Sequence, residues 1–215
     1  ASVISSPYQG MVAPSVDVVV CNTESRNESA DVAGRRVAQA CQWLRAWHPA
    51  LIYKKVDSTI RGNLAAEIEA VMEVFDIDVG IVAPAFPQAG RTTLQGQQLL
   101  DGIPVHQTEL AADPGSPVGD SYLPRVLARV AAHPNPGVAV RHLDIDEVSR
   151  GAAHLRTCLA TRNSARTIFV CDAACPEDLQ CIAEAASRLT TAPLLCGLAG
   201  LAQFLPEAFA LAPTM

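Results

Sequence analysis

Short apolar runs rich in β-branched residues recur along this chain, and segments with helical periodicity separate most of them. The runs are Val3-Ile4, Val16–Cys21, Leu51–Val56, Val79–Ala83, Val138–Val140, Thr167–Cys171 and Leu194–Cys196. They are nearly continuous in apolar character rather than alternating, which is typical of strands buried on both faces of a parallel sheet.

The segments between these runs carry apolar residues at helical spacing. The predicted helices are Glu28–Trp47, Leu64–Phe75, Ser121–Ala132, Glu147–Leu159 and Pro176–Leu189. Asn27 is expected to cap the first helix, and Pro176 stands in the first turn of the last one. Strands that alternate with helices indicate crossover units. The sequence therefore predicts an α/β fold with a predominantly parallel, Rossmann-like sheet flanked by helices.

Residues 84–118 depart from this alternation. The segment contains several glycines and prolines, and neither a helix nor a strand pattern fits it throughout. A long Gly/Pro-rich excursion from a sheet is usually functional or forms a small subdomain. We expect one of these two roles here.

Charge and cysteine content exclude several classes of function. The net charge of −6 disfavours binding to nucleic acid and anionic membranes, and no uninterrupted apolar stretch of about 18 residues indicates a membrane span. The seven cysteines fit free, buried thiols in a reducing cytoplasm. The run Cys171, Cys175 and Cys181 lacks a second ligand pair at metal-binding spacing, so no metal site is predicted.

Cations and hydroxyls follow several of the predicted strands. In open α/β sheets, ligands bind beyond the carboxyl ends of the strands. An arginine fork can hold a carboxylate, and Ser, Thr and Asp side chains can divide donors and acceptors among sugar hydroxyls. This pattern predicts a site for a polyhydroxy acid. Lys54 and Lys55 alternate sides of a strand, so at most one of them is expected to face it.

These residues also have purely structural interpretations. Arg26 and Asp57 can cap helices or pair with each other. Ser58 and Thr59 can cap the helix that follows them, and Arg91 can be a solvated surface charge.

Nucleotide-binding and hydrolase motifs are absent from the sequence. It contains no G-x-x-x-x-G-K-[ST], no G-x-G-x-x-G and no G-x-S-x-G, and its five histidines form no constellation with Ser or Cys. The turn Gly197-Leu198-Ala199-Gly200 can accept an anion on its backbone N–H groups, or its glycines can simply permit a tight strand-to-helix turn. Both interpretations stay open.

Several ordered motifs resemble those of the four-carbon acid sugar kinases. The segment 53–63, followed by Glu67-Ile68-Glu69-Ala70, resembles the hallmark of that family. So do Val82-Ala83-Pro84-Ala85-Phe86-Pro87, then Gly90-Arg91-Thr92-Thr93, and the earlier Asn22-Thr23-Glu24-Ser25-Arg26. The similarity spans nearly the whole chain.

The resemblance implies a two-lobed kinase that phosphorylates the terminal hydroxyl of four-carbon sugar acids such as threonate, erythronate or oxo-tetronates. Residues 1–215 resemble the N-terminal lobe, which holds the sugar acid. A C-terminal lobe is expected to bind ATP with Mg²⁺, and a homodimer is compatible with the resemblance. The substrate contacts that it implies are Arg26, Lys55, Asp57, Ser58, Arg61 and Arg91.

The chain departs from the family pattern in three places. The family's opening strand and its Asp-Asp-x-Thr-Gly-Ala motif are expected before Ala1, and an acid of that motif is the expected general base. A family Gly-Ser-Ala-Gly element is replaced by residues 197–200, and Glu24 replaces an aspartate. The alternatives are a non-catalytic sugar-acid-binding or regulatory module and an unrelated α/β oxidoreductase or transferase domain.

Overall fold

A five-stranded parallel sheet forms the centre of the protein. The computed structural model describes residues 2–5 as backbone, and residues 16–128, 138–162 and 164–211. The strands are β1 (Ser2–Ser5), β2 (Val19–Asn22), β3 (Tyr53–Lys55), β4 (Val79–Ala83), β5 (Arg91–Leu94), β6 (Gln97–Leu100), β7 (Ile103–Pro104), β8 (Val138–Leu143), β9 (Arg166–Cys171) and β10 (Leu194–Gly197). The central sheet has the order β3-β10-β4-β9-β8, and β1 and β2 form a separate parallel pair. The predicted parallel α/β fold is confirmed.

Helices cover both faces of this sheet. They are α1 (Ala30–Arg45), α2 (Leu64–Phe75), α3 (Leu123–Ala128), α4 (Ile145–Ser149), α5 (Ala152–Ala160), α6 (Pro176–Ser187), α7 (Ala199–Ala202) and α8 (Leu205–Ala208). Within the described ranges, no helix is both long enough and apolar enough to cross a membrane.

Two hydrophobic layers follow from the alternation of side chains along the strands. Val82 and Val170 pack on the side of α2, whereas Ile81 and Phe169 pack on the side of α5 and α6. The strands β4 and β10 are buried along their whole length. This burial on both faces explains why their sequences read as continuous apolar runs.

Two of the predicted helix boundaries are wrong. The first helix is capped by Ser29 rather than Asn27, because the extended Ser29 directs its Oγ to the Val32 N–H at 3.4 Å. The predicted helix 147–159 is two helices, α4 and α5, separated at Gly151, whose φ of +93° is incompatible with a continuous helix. Of the predicted helix 121–132, α3 is observed, and residues 129–132 lie outside the described residues.

The Gly/Pro-rich segment 84–118 forms a small subdomain, which is one of the two roles expected for it. Strands β5, β6 and β7 form an antiparallel sheet, with short 3₁₀ turns around it. Gln95 and Gly96 form the β5–β6 turn with positive φ at both positions. The fully buried Asp172, which directly follows β9, accepts their N–H groups at 2.7 and 2.9 Å and also contacts His142 Nε2 at 2.9 Å. These bonds hold the tip of the hairpin on the central sheet.

Candidate functional site

The loops that follow β2 and β3 lie against each other. Asn63 Nδ2 donates to the carbonyl oxygens of Ser25 and Glu28 at 3.2 and 2.8 Å. Gly62 has a φ of +92°, and a Cβ there would lie 3.4 Å from the Cα of Arg26. The close approach and the left-handed backbone both favour glycine at this position. Two of the segments predicted to carry the site are thereby brought together.

Asp57 is the centre of this region. Its Oδ1 accepts from the Thr59 N–H at 3.0 Å, from Thr59 Oγ1 at 2.8 Å and from Arg61 Nε at 3.1 Å. Its Oδ2 contacts Arg61 Nη2 and Arg26 Nη2, each at 3.1 Å. Burial opposes ionisation of the carboxyl, but the hydrogen bonds from Arg61 and Thr59 outweigh burial and lower the pKa of Asp57 to about 2. Asp57 is therefore an ionised anchor for two arginines.

Arg61 is held by two acids. Besides Asp57, it donates from Nη1 to Asp113 Oδ2 at 2.7 Å, and these hydrogen bonds raise the pKa of the guanidinium. Next to it, the Gly62 N–H donates to Ser116 Oγ at 2.8 Å. Both Asp113 and Ser116 belong to the Gly/Pro-rich excursion, which therefore folds back onto the loop after β3.

A second polar network consists of Lys54, Glu67 and Ser25. Glu67 and Ser25 were not assigned to the site from the sequence. Lys54 Nζ lies 2.6 Å from Glu67 Oε2, and Ser25 Oγ donates to Glu67 Oε1 at 2.6 Å. Glu67 and Ser25 are 7% and 5% exposed. The signal in the sequence is that Glu67 falls on the apolar stripe of α2 between Leu64 and Ile68, where an acid requires a buried partner. Glu67 thus ties the β2 loop to β3 and α2.

Lys55 and Ser58 stay available for a ligand. Lys55 is exposed, whereas Lys54 turns toward α2, so the two lysines do separate as predicted. Over the part of the chain that is described, neither the Lys55 ammonium nor the Ser58 hydroxyl has a hydrogen-bond or ion-pair partner. The helix-cap interpretation of Ser58 and Thr59 is wrong, because the N-cap of α2 is Asn63.

Arg91 lies at the start of β5, in a different environment. Its Nη1 donates to the Ala89 carbonyl, and its Nε is buried without a hydrogen-bond partner among the described residues. Within the same residues, it makes no hydrogen bond or ion pair with Arg26, Asp57 or Arg61. The predicted pairing of Arg26 with Asp57 is observed, and the convergence of Arg91 on the same site stays a prediction.

Close packing accounts for both glycines of the turn 197–200. A Cβ on Gly197 would lie 2.8 Å from the Ala83 carbonyl oxygen, and one on Gly200 would lie 2.5 Å from the Ala85 carbonyl oxygen. Tyr53 Oη donates to the Leu198 carbonyl at 2.6 Å and closes the turn further. These contacts explain the two glycines as residues of a tight strand-to-helix turn.

A surface hollow at the opposite edge of the sheet lies away from these residues. It is lined by segments that precede strands, including Pro49 and Ile52 before β3, Phe75 before β4 and Pro193 before β10. Ligands of open α/β sheets bind at the other edge, beyond the carboxyl ends of the strands. The Arg26–Asp57–Arg61 region is consequently the better candidate.

Comparison with known proteins identifies the family. Residues 3–205 match the family model described as a sugar-binding N-terminal domain. The chain belongs to this family. The Salmonella typhimurium D-threonate kinase is 40% identical over 192 residues, which cover 88% of this chain and 44% of the relative. The Heliobacterium modesticaldum D-erythronate kinase is 36% identical, covering 79% and 38%. This sugar-binding domain thus spans less than half the length of these relatives.

Solved structures share the fold of this sugar-binding domain. A Haemophilus influenzae protein superposes with a TM-score of 0.82 at 24% identity, covering 98% of this chain and 50% of its own. A Bordetella bronchiseptica domain of unknown function superposes with a TM-score of 0.75 at 32% identity, covering 89% and 44%. The Bordetella structure is a domain-swapped dimer with bound citrate.

Proposed function

We propose that this chain is the substrate-binding lobe of an ATP-dependent kinase that phosphorylates the terminal hydroxyl of a four-carbon sugar acid. The observation that carries the proposal is the ion-pair cluster of Arg26, Asp57 and Arg61 at the loops that follow β2 and β3, in a sugar-binding domain. Relatives 33–40% identical are named kinases of threonate, erythronate and 3-oxo-tetronate.

Arg26 is the proposed carboxylate contact. One of its nitrogens, Nη2, is bound to Asp57, and its side chain is 51% exposed. An arginine has five N–H donors, so the Asp57 contact leaves donors free to take a carboxylate bidentately. Asp57 fixes the orientation of the guanidinium before the ligand arrives, which lowers the entropic cost of binding.

Arg61 and Asp57 are proposed to position the site rather than to carry out proton transfer. All three nitrogens of the Arg61 guanidinium already donate to Asp57 or Asp113. Asp57 has a pKa of about 2, and both of its oxygens accept hydrogen bonds. A carboxylate so strongly stabilised is a poor general base near neutral pH. Asp57 is therefore not assigned as the base.

The charge balance of the cluster suits a monoanion. Arg26 and Arg61 are offset by Asp57 and Asp113, so the ion-paired groups are neutral as a set. Lys55 is exposed two residues before Asp57 and adds one positive charge to this part of the chain. A sugar acid with one carboxylate would match this excess locally, although the chain carries a net charge of −6. Ser58 is proposed to bind one of its hydroxyls.

ATP and Mg²⁺ are proposed to be held mainly by a second lobe. The glycines at 197 and 200 are explained by close packing against the carbonyl oxygens of Ala83 and Ala85, so this turn is not assigned to the nucleotide. Phosphoryl transfer depends on positioning the acceptor and on neutralising the transferred group. The residues of this chain would serve the first requirement.

Calorimetric titration with D-threonate and D-erythronate tests the binding role. Erythritol, a four-carbon polyol without a carboxylate, is the matched ligand control. Arg26→Gln should weaken acid binding by about tenfold or more, the effect of losing a charged hydrogen bond of about 1.5–3 kcal/mol. The control variant Arg35→Gln removes an exposed α1 arginine paired with Asp31 and should leave binding unchanged. Equal binding by the two variants, or equal binding of erythritol, would contradict the proposal.

A further inference from the structure

A glutamate, a histidine and a cysteine converge where α4 meets α5. One ligand atom from each of Glu147, His154 and Cys158 lies within 4.8 Å of those of the other two. His154 and Cys158 are four residues apart on α5, so they lie on one face of the helix. Their Nε2 and Sγ atoms are 3.4 Å apart.

These distances suit the coordination sphere of a tetrahedral ion. Zinc binds thiolate sulfur at about 2.3 Å and imidazole nitrogen at about 2.0–2.1 Å, so the two atoms would stand about 3.5 Å apart at a tetrahedral angle. The observed separation of 3.4 Å is close to that value. All three residues are partly buried, which leaves the cluster reachable from solvent.

The geometry points to a divalent transition-metal site, with zinc as the expected ion, formed by Glu147, His154 and Cys158. Sulfur, nitrogen and oxygen donors together select a borderline ion such as Zn²⁺ over Mg²⁺ or Ca²⁺, which prefer oxygen alone. Three protein ligands leave the fourth position to water. The prediction of no metal site rests on Cys171, Cys175 and Cys181, none of which belongs to this cluster.

Glu147 can serve as a ligand without giving up its local role. One of its oxygens, Oε2, accepts the Asp144 N–H at 3.3 Å in the capping box of α4. A carboxylate has two oxygens with further lone pairs, so the other oxygen can bind the ion. An ion at this position would join α4 to α5 across the break at Gly151. The helix that carries Glu147 directly follows β8, which is the edge strand at the end of the sheet opposite β3.

Metal binding must displace the proton of the Cys158 thiol. Burial raises the pKa of this thiol and the Glu147 carboxylate raises it further, while Arg141 and Arg150 oppose them. The proton passes to solvent as the metal–sulfur bond forms, with no change of oxidation state.

Titration of the reduced, chelator-treated 215-residue chain with Co²⁺ and then Zn²⁺ tests this site. Co²⁺ should bind with 1:1 stoichiometry and give thiolate-to-metal charge-transfer absorption, which Zn²⁺ should abolish by displacing it. Cys158→Ser should lose the absorption, and His154→Ala should weaken binding by more than about tenfold, since even loss of an outer-shell partner costs that much.

Cys175→Ser is the matched control, because Cys175 is also partly buried but stands at the start of α6. This variant should bind Co²⁺ like the unchanged chain. Far-UV circular dichroism in the presence of chelator establishes that each variant is folded, and Zn²⁺ should raise the Tm of the unchanged chain but not that of Cys158→Ser. Absence of charge-transfer absorption at saturating Co²⁺, or equal absorption by folded Cys158→Ser, would overturn the proposal.

Discussion

Removing the charge of Asp57 should destabilise the fold by an amount that depends on pH. The Asp57 side chain is 8% exposed, and its hydrogen bonds lower its pKa from 3.8 to about 2. A shift of this size corresponds to about 2 kcal/mol of stabilisation of the ionised form in the folded state. Asp57→Asn, which keeps the shape but not the charge, should therefore lower the free energy of unfolding by about 2–3 kcal/mol at pH 7.

The direction of the pH effect follows from the lowered pKa. Because the pKa is lower in the folded state than in the unfolded chain, the stabilisation is fully present above about pH 5 and is lost as the pH falls toward 2. By pH 3 the linkage relation removes about 1 kcal/mol of it. An asparagine does not titrate, so the difference between the unchanged chain and Asp57→Asn should shrink by about 1 kcal/mol between pH 7 and pH 3.

Urea denaturation at both pH values measures this difference. The matched control is Asp31→Asn, which removes an aspartate 77% exposed in a surface pair with Arg35. Surface pairs contribute about 0–1 kcal/mol, so the control should show a small effect at pH 7. A destabilisation by Asp57→Asn that is the same at pH 7 and pH 3, or no larger than that of the control, would refute the reasoning.

Three further predictions concern packing, the hairpin and catalysis. Gly200→Ala should destabilise the fold by about 1–3 kcal/mol in urea denaturation, since its Cβ would meet backbone 2.5 Å away, whereas Gly119→Ala, with open space around it, should be neutral. Asp172→Asn should speed hydrogen exchange of the backbone N–H groups of Gln95 and Gly96, because each bonds a different oxygen of the carboxylate and asparagine has only one such oxygen. Unchanged exchange would show that other contacts hold the hairpin. The 215-residue chain alone, mixed with MgATP and D-threonate, should release no ADP above background, and turnover of about 1–100 s⁻¹ would contradict the assignment of ATP binding to another lobe.

The sheet was predictable from the sequence because its strands are buried on both faces. Val79–Ala83 and Leu194–Cys196 read as apolar runs for that reason, and every described strand of the central sheet overlaps a predicted run. The run Val138–Val140 was too short, because β8 continues to Leu143. The order of the strands was not predictable. Strands β4 and β10 are neighbours in the sheet, yet their paired residues are more than a hundred positions apart in the sequence. No local sequence pattern encodes such contacts.

The candidate site was predictable only in part. Arg26, Asp57 and Arg61 stood out because they follow strands, and the structure brings them together. Asp113, the second acid that binds Arg61, lies 52 positions away in the sequence. No local pattern therefore indicated that the two residues pair. Gly151 breaks a helix whose apolar spacing continues across it, which explains why the periodicity of 147–159 predicted one helix instead of two.

The central claim is that the sugar acid binds at the loops after β2 and β3. The most direct test is to titrate the ¹⁵N-labelled chain with D-threonate and to record ¹H–¹⁵N correlation spectra. We predict that the largest chemical-shift changes fall on the amides of residues 22–26 and 55–63, and that erythritol causes much smaller changes. Shift changes confined to the hollow near Pro49 and Pro193, or no saturable change at any amide, would contradict it.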